Sequence, residues 1–419
     1  MSKDNSARDE LCCCSASSAS GSDRGRARLG SLRQALLLAR ARLELSRRRG
    51  SEHAMNRRSV LMAGAAALAT SASGAVLWAR QDIGRWRAAA DAIRQPLNPE
   101  LTGRAAIAEL VRCATLAANS HNTQPWRFVA RDADITIAPD FSRRCPVVDP
   151  DDHHLFASLG AAAENIVQAA PVFGLSATVR AVGEDGRVRI DLVPGAPEPS
   201  ELAAAIVKRQ CCRGLYDSRP VPADELQRLA SAGRGDGVDI LLLTEPAAVD
   251  AVASLVIAGN TAQFADPSFL AELKHWLRFG YADAVATGDG LFAGVSGNPA
   301  LPAPVGRLLF DRVVSADSEN AKCRAQIASS AGLAVFVSDH DDRGHWLAAG
   351  RAYQRFALCA TALGIKHAFL NQPVEVPQQR HRLAEHLGLG LRRPDFIVRF
   401  GYGADMPRSL RRPIADVLV

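Results

Sequence analysis

Apolar residues recur at helical spacing over about residues 104 to 118, whereas Ile135-Thr136-Ile137-Ala138 alternates with the two-residue period of a strand. Pro125 biases Gln124 away from helix, so a turn is expected between the two elements. The clearest helical pattern covers 153 to 173, with Leu155, Leu159, Ala162, Ala163, Ile166, Ala170 and Phe173 on one face and Gly174 as its terminator. Two strands follow, Ser176 to Val182 and Arg187 to Val193, around a turn at Glu184-Asp185-Gly186. A new helix is expected at Asp224, and Phe269, Leu270, Leu273, Trp276 and Leu277 make another, amphipathic one. Thr287-Gly288-Asp289-Gly290 and Ser296-Gly297-Asn298-Pro299 are loop chemistry. The stretch 264–320 reads as an insertion, either a lid over a site or surface decoration. Near the end, a helix to about Gly388 precedes a strand over Phe396 to Gly403.

One unit occurs twice. Ser158-Leu159-Gly160-Ala161-Ala162-Ala163-Glu164-Asn165-Ile166 runs parallel to Ala348-Ala349-Gly350-Arg351-Ala352-Tyr353-Gln354-Arg355-Phe356. The pair Gly160 and Gly174 has the same spacing as Gly350 and Gly364, as an internal duplication would leave it.

A chain of 419 residues, 47% hydrophobic and 22% charged, can bury a large core and hold more than one domain-sized unit. Its net charge of +6 comes from the leader, since residues 1–54 carry 11 Lys+Arg against 6 Asp+Glu and the remainder 39 against 38. The body therefore lacks the electrostatic footprint of a nucleic-acid binder. Nine cysteines form neither a disulfide framework nor a paired CxxC metal site. Asp151-Asp152-His153-His154 reads as acidic capping at a helix start, and no metal site is assigned.

Residues 1–54, rich in Ser, Ala and Arg, read as a disordered leader or as the product of an upstream start, with Met55 as the alternative beginning. From Met55, Arg57-Arg58 precedes an uncharged Ala/Gly run ending at Arg80, which resembles a twin-arginine export signal with a small-residue cleavage site near Ser73 and Ala75. An uncleaved membrane anchor is the alternative.

Ser120-His121-Asn122-Thr123-Gln124-Pro125-Trp126 follows the first helical pattern and combines polar side chains, a fixed turn and one large apolar plate. This passage resembles the flavin-contacting signature of the nitroreductase family, a Pro-Ser-Ser-x-Asn-x-Gln-Pro-Trp run. Ser120, Asn122, Gln124, Pro125 and Trp126 match, and Ala118 and Asn119 replace the Pro and first Ser. Arg209 and Arg213 resemble the family's Arg-x-Ser-x-Arg phosphate motif, with Cys211 at the hydroxyl position; four residues apart, they share a side if the backbone there is helical. Asn371 and Gln372 occupy the place where the family usually has an acidic residue and Gly beside the flavin ring, and Arg411 or Arg412 the place of a closing phosphate Arg.

The resemblance, closest to the duplicated Acg-type branch, covers roughly residues 100–419. It implies an α+β fold with a mixed, largely antiparallel sheet packed by long helices and internally duplicated, as a first half 100–198 and a second half 199–419. FMN would lie between the halves, its ring against Ser120, His121, Asn122, Gln124, Asn371 and Gln372 and its phosphate on Arg209, Cys211, Arg213, Arg411 and Arg412. The implied reaction is two-electron transfer from NAD(P)H, bound transiently, or from a membrane or envelope donor, to a nitroaromatic, quinone or similar acceptor. No catalytic side chain is required, because the flavin carries the chemistry. The implied molecule is a monomer with pseudo-dimeric halves, periplasmic if the signal acts, and cytoplasmic or anchored otherwise. Two alternatives are a protein that sequesters FMN with little turnover and an anchored envelope protein without flavin.

Overall fold

The computed structural model describes residues 81–419 apart from 181 and 182. The expected leader, export signal and cleavage site all lie outside these residues. Helix α1 (81–92) leads into α2 (Gly103–Thr115), strands β1 (Trp126–Ala130) and β2 (Asp134–Pro139), and the long helix α3 (His153–Ala169). Strands β3 (Leu175–Val179) and β4 (Val188–Pro194) complete a four-stranded antiparallel sheet of order β1-β2-β4-β3.

After the short α4 (Glu201–Ile206), the order repeats: helix α5 (Ala223–Ala232), then β5 (Val238–Leu243). A long insertion carries α6 (Pro246–Phe264), α7 (Pro267–Trp276), β6 (Leu277–Arg278), α8 (Tyr281–Thr287), β7 (Leu291–Phe292), α9 (Ala303–Val313) and α10 (Ala316–Ala328). Then come β8 (Gly332–Ser338), helix α11 (Arg343–Ala362), β9 (Lys366–Phe369), α12 (Gln372–Glu375), α13 (Pro377–His386) and β10 (Arg393–Gly401). The second sheet, β5-β8-β10-β9, is again antiparallel throughout and has the strand sequence of the first. Two separate sheets therefore replace the single mixed sheet expected. Parallel pairing occurs between β6 and β7, which form a small sheet of their own, and at the C-terminal segment, where Phe128 N–H donates to Val417 O at 2.7 Å and Val419 N–H to Phe128 O at 2.9 Å.

Helix α3 was expected to bury one stripe, but 15 of its 17 residues are buried. The reason is α11, which packs along its other side. A Cβ on Gly160 would overlap the Leu347 carbonyl and one on Gly350 the Ala157 carbonyl, so only hydrogen at both positions lets the two backbones meet. Around this crossing the contacts are reciprocal: Arg355 reaches Glu164 at 3.0 Å, and Gln354 Nε2 donates to Asn165 Oδ1 at 2.7 Å. Gly174 and Gly364 both adopt the left-handed region, at φ 67° and 75°, ending the paired helices in the same way.

Strands β8 and β10 are buried at every residue, because α11 covers one face of the second sheet while α6, α10 and α13 cover the other. Neither β5 nor β8 was among the expected strands. Strand β8 is a continuous apolar run of the kind that marks a sheet packed on both faces and gives no alternation to detect, and β5 is apolar except at the exposed Asp239, too short a pattern to read as alternation.

Candidate functional site

Between α2 and β1 the chain runs through an unusual backbone. His121, Asn122 and Gln124 have φ of 47°, 55° and 55°, a region that costs non-glycine residues free energy unless the surroundings enforce it. Asn119 Oδ1 closes the loop by accepting from Gln124 N–H at 2.8 Å, which gives that departure from the family pattern a structural role. Asn122 Nδ2 donates to Gly290 O at 3.1 Å and Leu410 O at 3.2 Å. Gln124 Nε2 donates to Gly288 O at 2.9 Å, and its Oε1 accepts from Arg412 N–H at 2.8 Å. The two amides thus tie the loop to the insertion and to the C-terminal segment. Trp126, expected as a plate beside a ligand, is fully buried in the core under the first sheet.

Fixed in this way, Ser120 and His121 face a cavity of about 600 Å³. Its walls come from α3 at Ala157 and Ser158, α11 at Gly350 and Tyr353, the irregular segment at Arg213, and the start of α12 at Asn371 and Gln372. Phe279, Leu301, Leu309 and Phe310 of the insertion line it on another side. Burial, with the nearby Arg213 and His154 charges, pushes the His121 imidazole down to about 4 against the attraction of Glu375. At neutral pH it is an uncharged group beside Ser120 Oγ, 3.3 Å from its Nδ1. Asn371 is anchored by accepting from Ile397 N–H at 3.1 Å. Gln372 Oε1 is a buried acceptor with no donor among the described residues.

The cationic half of the predicted site divides in two. Helix α4 ends at Ile206 and Cys211 pairs with His367 as a parallel bridge, so Arg209 and Arg213 are not on one side of a helix. Arg213 lies in the cavity wall, its Nη1 3.3 Å from Ser296 Oγ. Arg209 instead turns inward and donates to Leu116 O at 2.9 Å, while Arg411 donates to Thr115 O at 2.6 Å and Ala117 O at 3.1 Å. Together they cap the C-terminus of α2, where partial negative charge collects. Burial and then the charges of Arg408 and Arg209 push Arg94 down to about 9; burial and then Arg94 and Arg209 lower Arg411 as well. Burial raises the Cys211 thiol, but His367, Arg209 and Arg213 outweigh it and hold it at about 6, where a thiolate offsets part of the crowded positive charge. Arg209 Nε has no partner among the described residues.

Of the eleven residues singled out from sequence, Ser120, His121, Arg213, Asn371 and Gln372 meet at the cavity. Asn122, Gln124, Arg209, Cys211, Arg411 and Arg412 lie behind its wall. Sequence reasoning missed His154, Gln263, Tyr353 and Glu375, which also line it. Two of these stood in noticed motifs: Tyr353 was read as part of the repeated helix and His154 with the helix cap. That cap exists, but its carboxylate is chiefly that of Asp149, which accepts from His154 N–H at 2.9 Å and Leu155 N–H at 3.0 Å.

No family model matches the chain. A protein of Mycobacterium tuberculosis H37Rv named provisionally as an NAD(P)H nitroreductase is 28% identical over 339 residues, covering 77% of this chain and 93% of its own length; its counterpart in strain CDC 1551 matches equally. Among solved structures, the FMN-dependent nitroreductase from Mycobacterium smegmatis in complex with NADPH has 14% identity and a TM-score of 0.35, covering 52% of this chain and 96% of that one. An FMN-bound nitroreductase from Bacteroides fragilis has 16% identity and a TM-score of 0.31, covering 49% and 90%. The similarity extends along nearly the whole length of these mycobacterial relatives, and the loop at Ser120 to Trp126 matches the nitroreductase-like signature in the sequence.

Proposed function

We infer that this chain holds FMN in the cavity at Ser120, His121, Arg213, Asn371 and Gln372 and passes two electrons, as hydride, from NAD(P)H or another donor to a nitroaromatic, quinone or similar acceptor. The observation that carries this reading is the meeting of the polar loop, the Arg213 guanidinium and the Asn371-Gln372 pair in a single cavity from distant parts of the sequence. A volume of about 600 Å³ is in the range of cofactor pockets. Two unmatched groups fit such an occupant: Gln372 Oε1 lacks a donor, and the Arg94, Arg209 and Arg411 cluster carries more positive charge than its surroundings offset.

When bound, FMN supplies the hydride chemistry, and the protein's task is to orient it and to exclude competing reactions. Ser120 and neutral His121 offer hydrogen bonds without charge; Gln372 offers an acceptor to a ring N–H. Arg213 offers a charge-assisted donor to a phosphate, with Arg209 and Arg411 adding positive potential from behind. The apolar side chains of the insertion keep water out. The reciprocal crossing of α3 and α11 supports a duplicated ancestor whose two-fold interface now lies within one chain, so that a monomer suffices.

The test is the absorption spectrum of the purified protein, followed by NAD(P)H oxidation with a quinone. A yellow protein releasing FMN on denaturation is expected, and a colourless one that fails to bind added FMN overturns the reading. The apolar wall that Phe279, Leu301, Leu309 and Phe310 of the insertion lay along the cavity favours a second reading, an FMN store whose turnover is limited by that cover. Removing these side chains would then raise NAD(P)H oxidation, and an unchanged rate would count against cover by the insertion. Export remains part of the proposal, tested by replacing Arg57 and Arg58 with Lys in a reporter fusion.

A further inference from the structure

A row of buried titratable groups separates the cavity from a second one of about 240 Å³. Glu375 Oε1 stands 3.4 Å from His154 Nε2, His154 Nδ1 3.1 Å from His153 Nδ1, and His153 Nε2 2.8 Å from Asp395 Oδ1. Gln263 Nε2 holds the other Glu375 oxygen at 2.6 Å, and Ser338 donates to the other Asp395 oxygen. His154 and Glu375 line both cavities. The second is bordered by Pro150, Asp151 and Pro377, all exposed, and so opens toward solvent.

Two distributions of the same protons satisfy the row. Burial raises Asp395 to about 7 against Ser338 and Arg393, and a protonated Asp395 can donate to His153 Nε2, His153 Nδ1 to His154 Nδ1 and neutral His154 Nε2 to Glu375. With Asp395 ionised, His153 donates from Nε2 and accepts at Nδ1. His154 must then donate from Nδ1, and it meets the Glu375 carboxylate only if Nε2 is protonated too. In this distribution His154 is an imidazolium fixed at both nitrogens. The surroundings agree in direction: burial disfavours its charge, but Glu375 and Asp149 outweigh burial and raise it, with Arg393 opposing, while burial, His154, Arg393 and Arg380 lower His153. Burial would raise Glu375, yet His154, His121 and Gln263 hold it down. Asp149, His153 and His154 also bring nitrogen and oxygen atoms within 4.8 Å of one another, but Arg380 and Arg393 line the same cavity and disfavour a cation.

We propose that the His154–Glu375 pair is the proton donor of the larger cavity, refilled from the smaller one, with His153 and Asp395 as positioning residues that fix its tautomer. This rests on the oxidoreductase reading above. Reduction of a quinone to a hydroquinone consumes two electrons and two protons. A hydride brings both electrons and one proton; the second proton leaves His154 Nε2 by way of the Glu375 carboxylate for the acceptor oxygen, and solvent in the second cavity restores it. The electrons come from the reduced nicotinamide of the donor.

Two measurements test it on the full chain. In ¹⁵N-histidine spectra, wild-type His154 should carry both ring protons at pH 7 and His153 only one, and Glu375→Gln should lower the pH at which His154 loses its proton by one unit or more. In the FMN-loaded protein, His153→Gln and Glu375→Gln should slow quinone reduction by about a hundredfold and more than they slow reduction by NAD(P)H. The wild-type quinone step should fall as pH rises through the His154 titration, and the variants should lose that dependence. A neutral His154 between pH 6 and 8, or an unaltered quinone step and pH profile in both variants, overturns the proposal. A colourless protein would defeat the flavin reading alone, because the histidine spectra need no flavin.

Discussion

Arginine placement decides what each guanidinium can do. Arg213 faces the cavity while Arg411 is spent on the carbonyls of Thr115 and Ala117, although sequence assigned both to one anion. Arg213→Ala should weaken FMN binding by roughly ten- to a hundredfold, the worth of a charge-assisted hydrogen bond, with little change in the urea midpoint. Arg411→Ala should lower that midpoint as well, because it strips the end of α2. A second test concerns Glu164, 1% exposed at its side chain and held by Arg351 at 2.9 Å and Arg355 at 3.0 Å. Glu164→Ala should cost about 2 to 3 kcal/mol by urea unfolding, below the usual range for a buried pair because both arginines keep partial access to water. Motif matching found the residue types of the site and not their directions. Asn122 and Gln124 sit in the expected loop, but positive φ turns their side chains toward Gly288, Gly290 and Leu410, and that follows from partners more than 160 residues away.

Among the elements, α3 and α11 carry the most information. Gly350→Ala should force the helices apart against backbone, and a loss of about 3 kcal/mol or more is expected in thermal unfolding, at the upper end of overpacking costs. Gly364→Ala is the control: its added Cβ meets nothing within 4 Å, so it should cost only about 1 kcal/mol for its φ of 75°. These helices were legible because a 3.6-residue period over 17 to 20 residues is a strong signal and each ends at a glycine. The second sheet was less legible. Its central strands are covered on both faces, and β5 and β8 stand 88 residues apart across the insertion, between Leu243 and Gly332 measured as intervening positions.

On the scale of the whole molecule, the insertion both lines the cavity and grips the polar loop. Gly288 and Gly290 accept from Gln124 and Asn122, while Leu309 and Phe310 of α9 line the cavity. Deleting the insertion would therefore confound access with collapse of the loop. The double substitution Leu309→Ser and Phe310→Ser leaves the grip in place; if closure limits turnover, NAD(P)H oxidation should rise several-fold, measured by loss of nicotinamide absorbance, with the flavin spectrum unchanged. The fastening of the C-terminal segment has a consequence for synthesis. Arg411 caps α2, Arg412 holds Gln124, and Val417 pairs with Phe128, so elements made early find their last partners only when some of the latest residues emerge from the ribosome. Nascent chains arrested before residue 405 should remain open to protease across their first hundred globular residues, and a chaperone that shelters the waiting edge of β1 would act for nearly the entire period of translation.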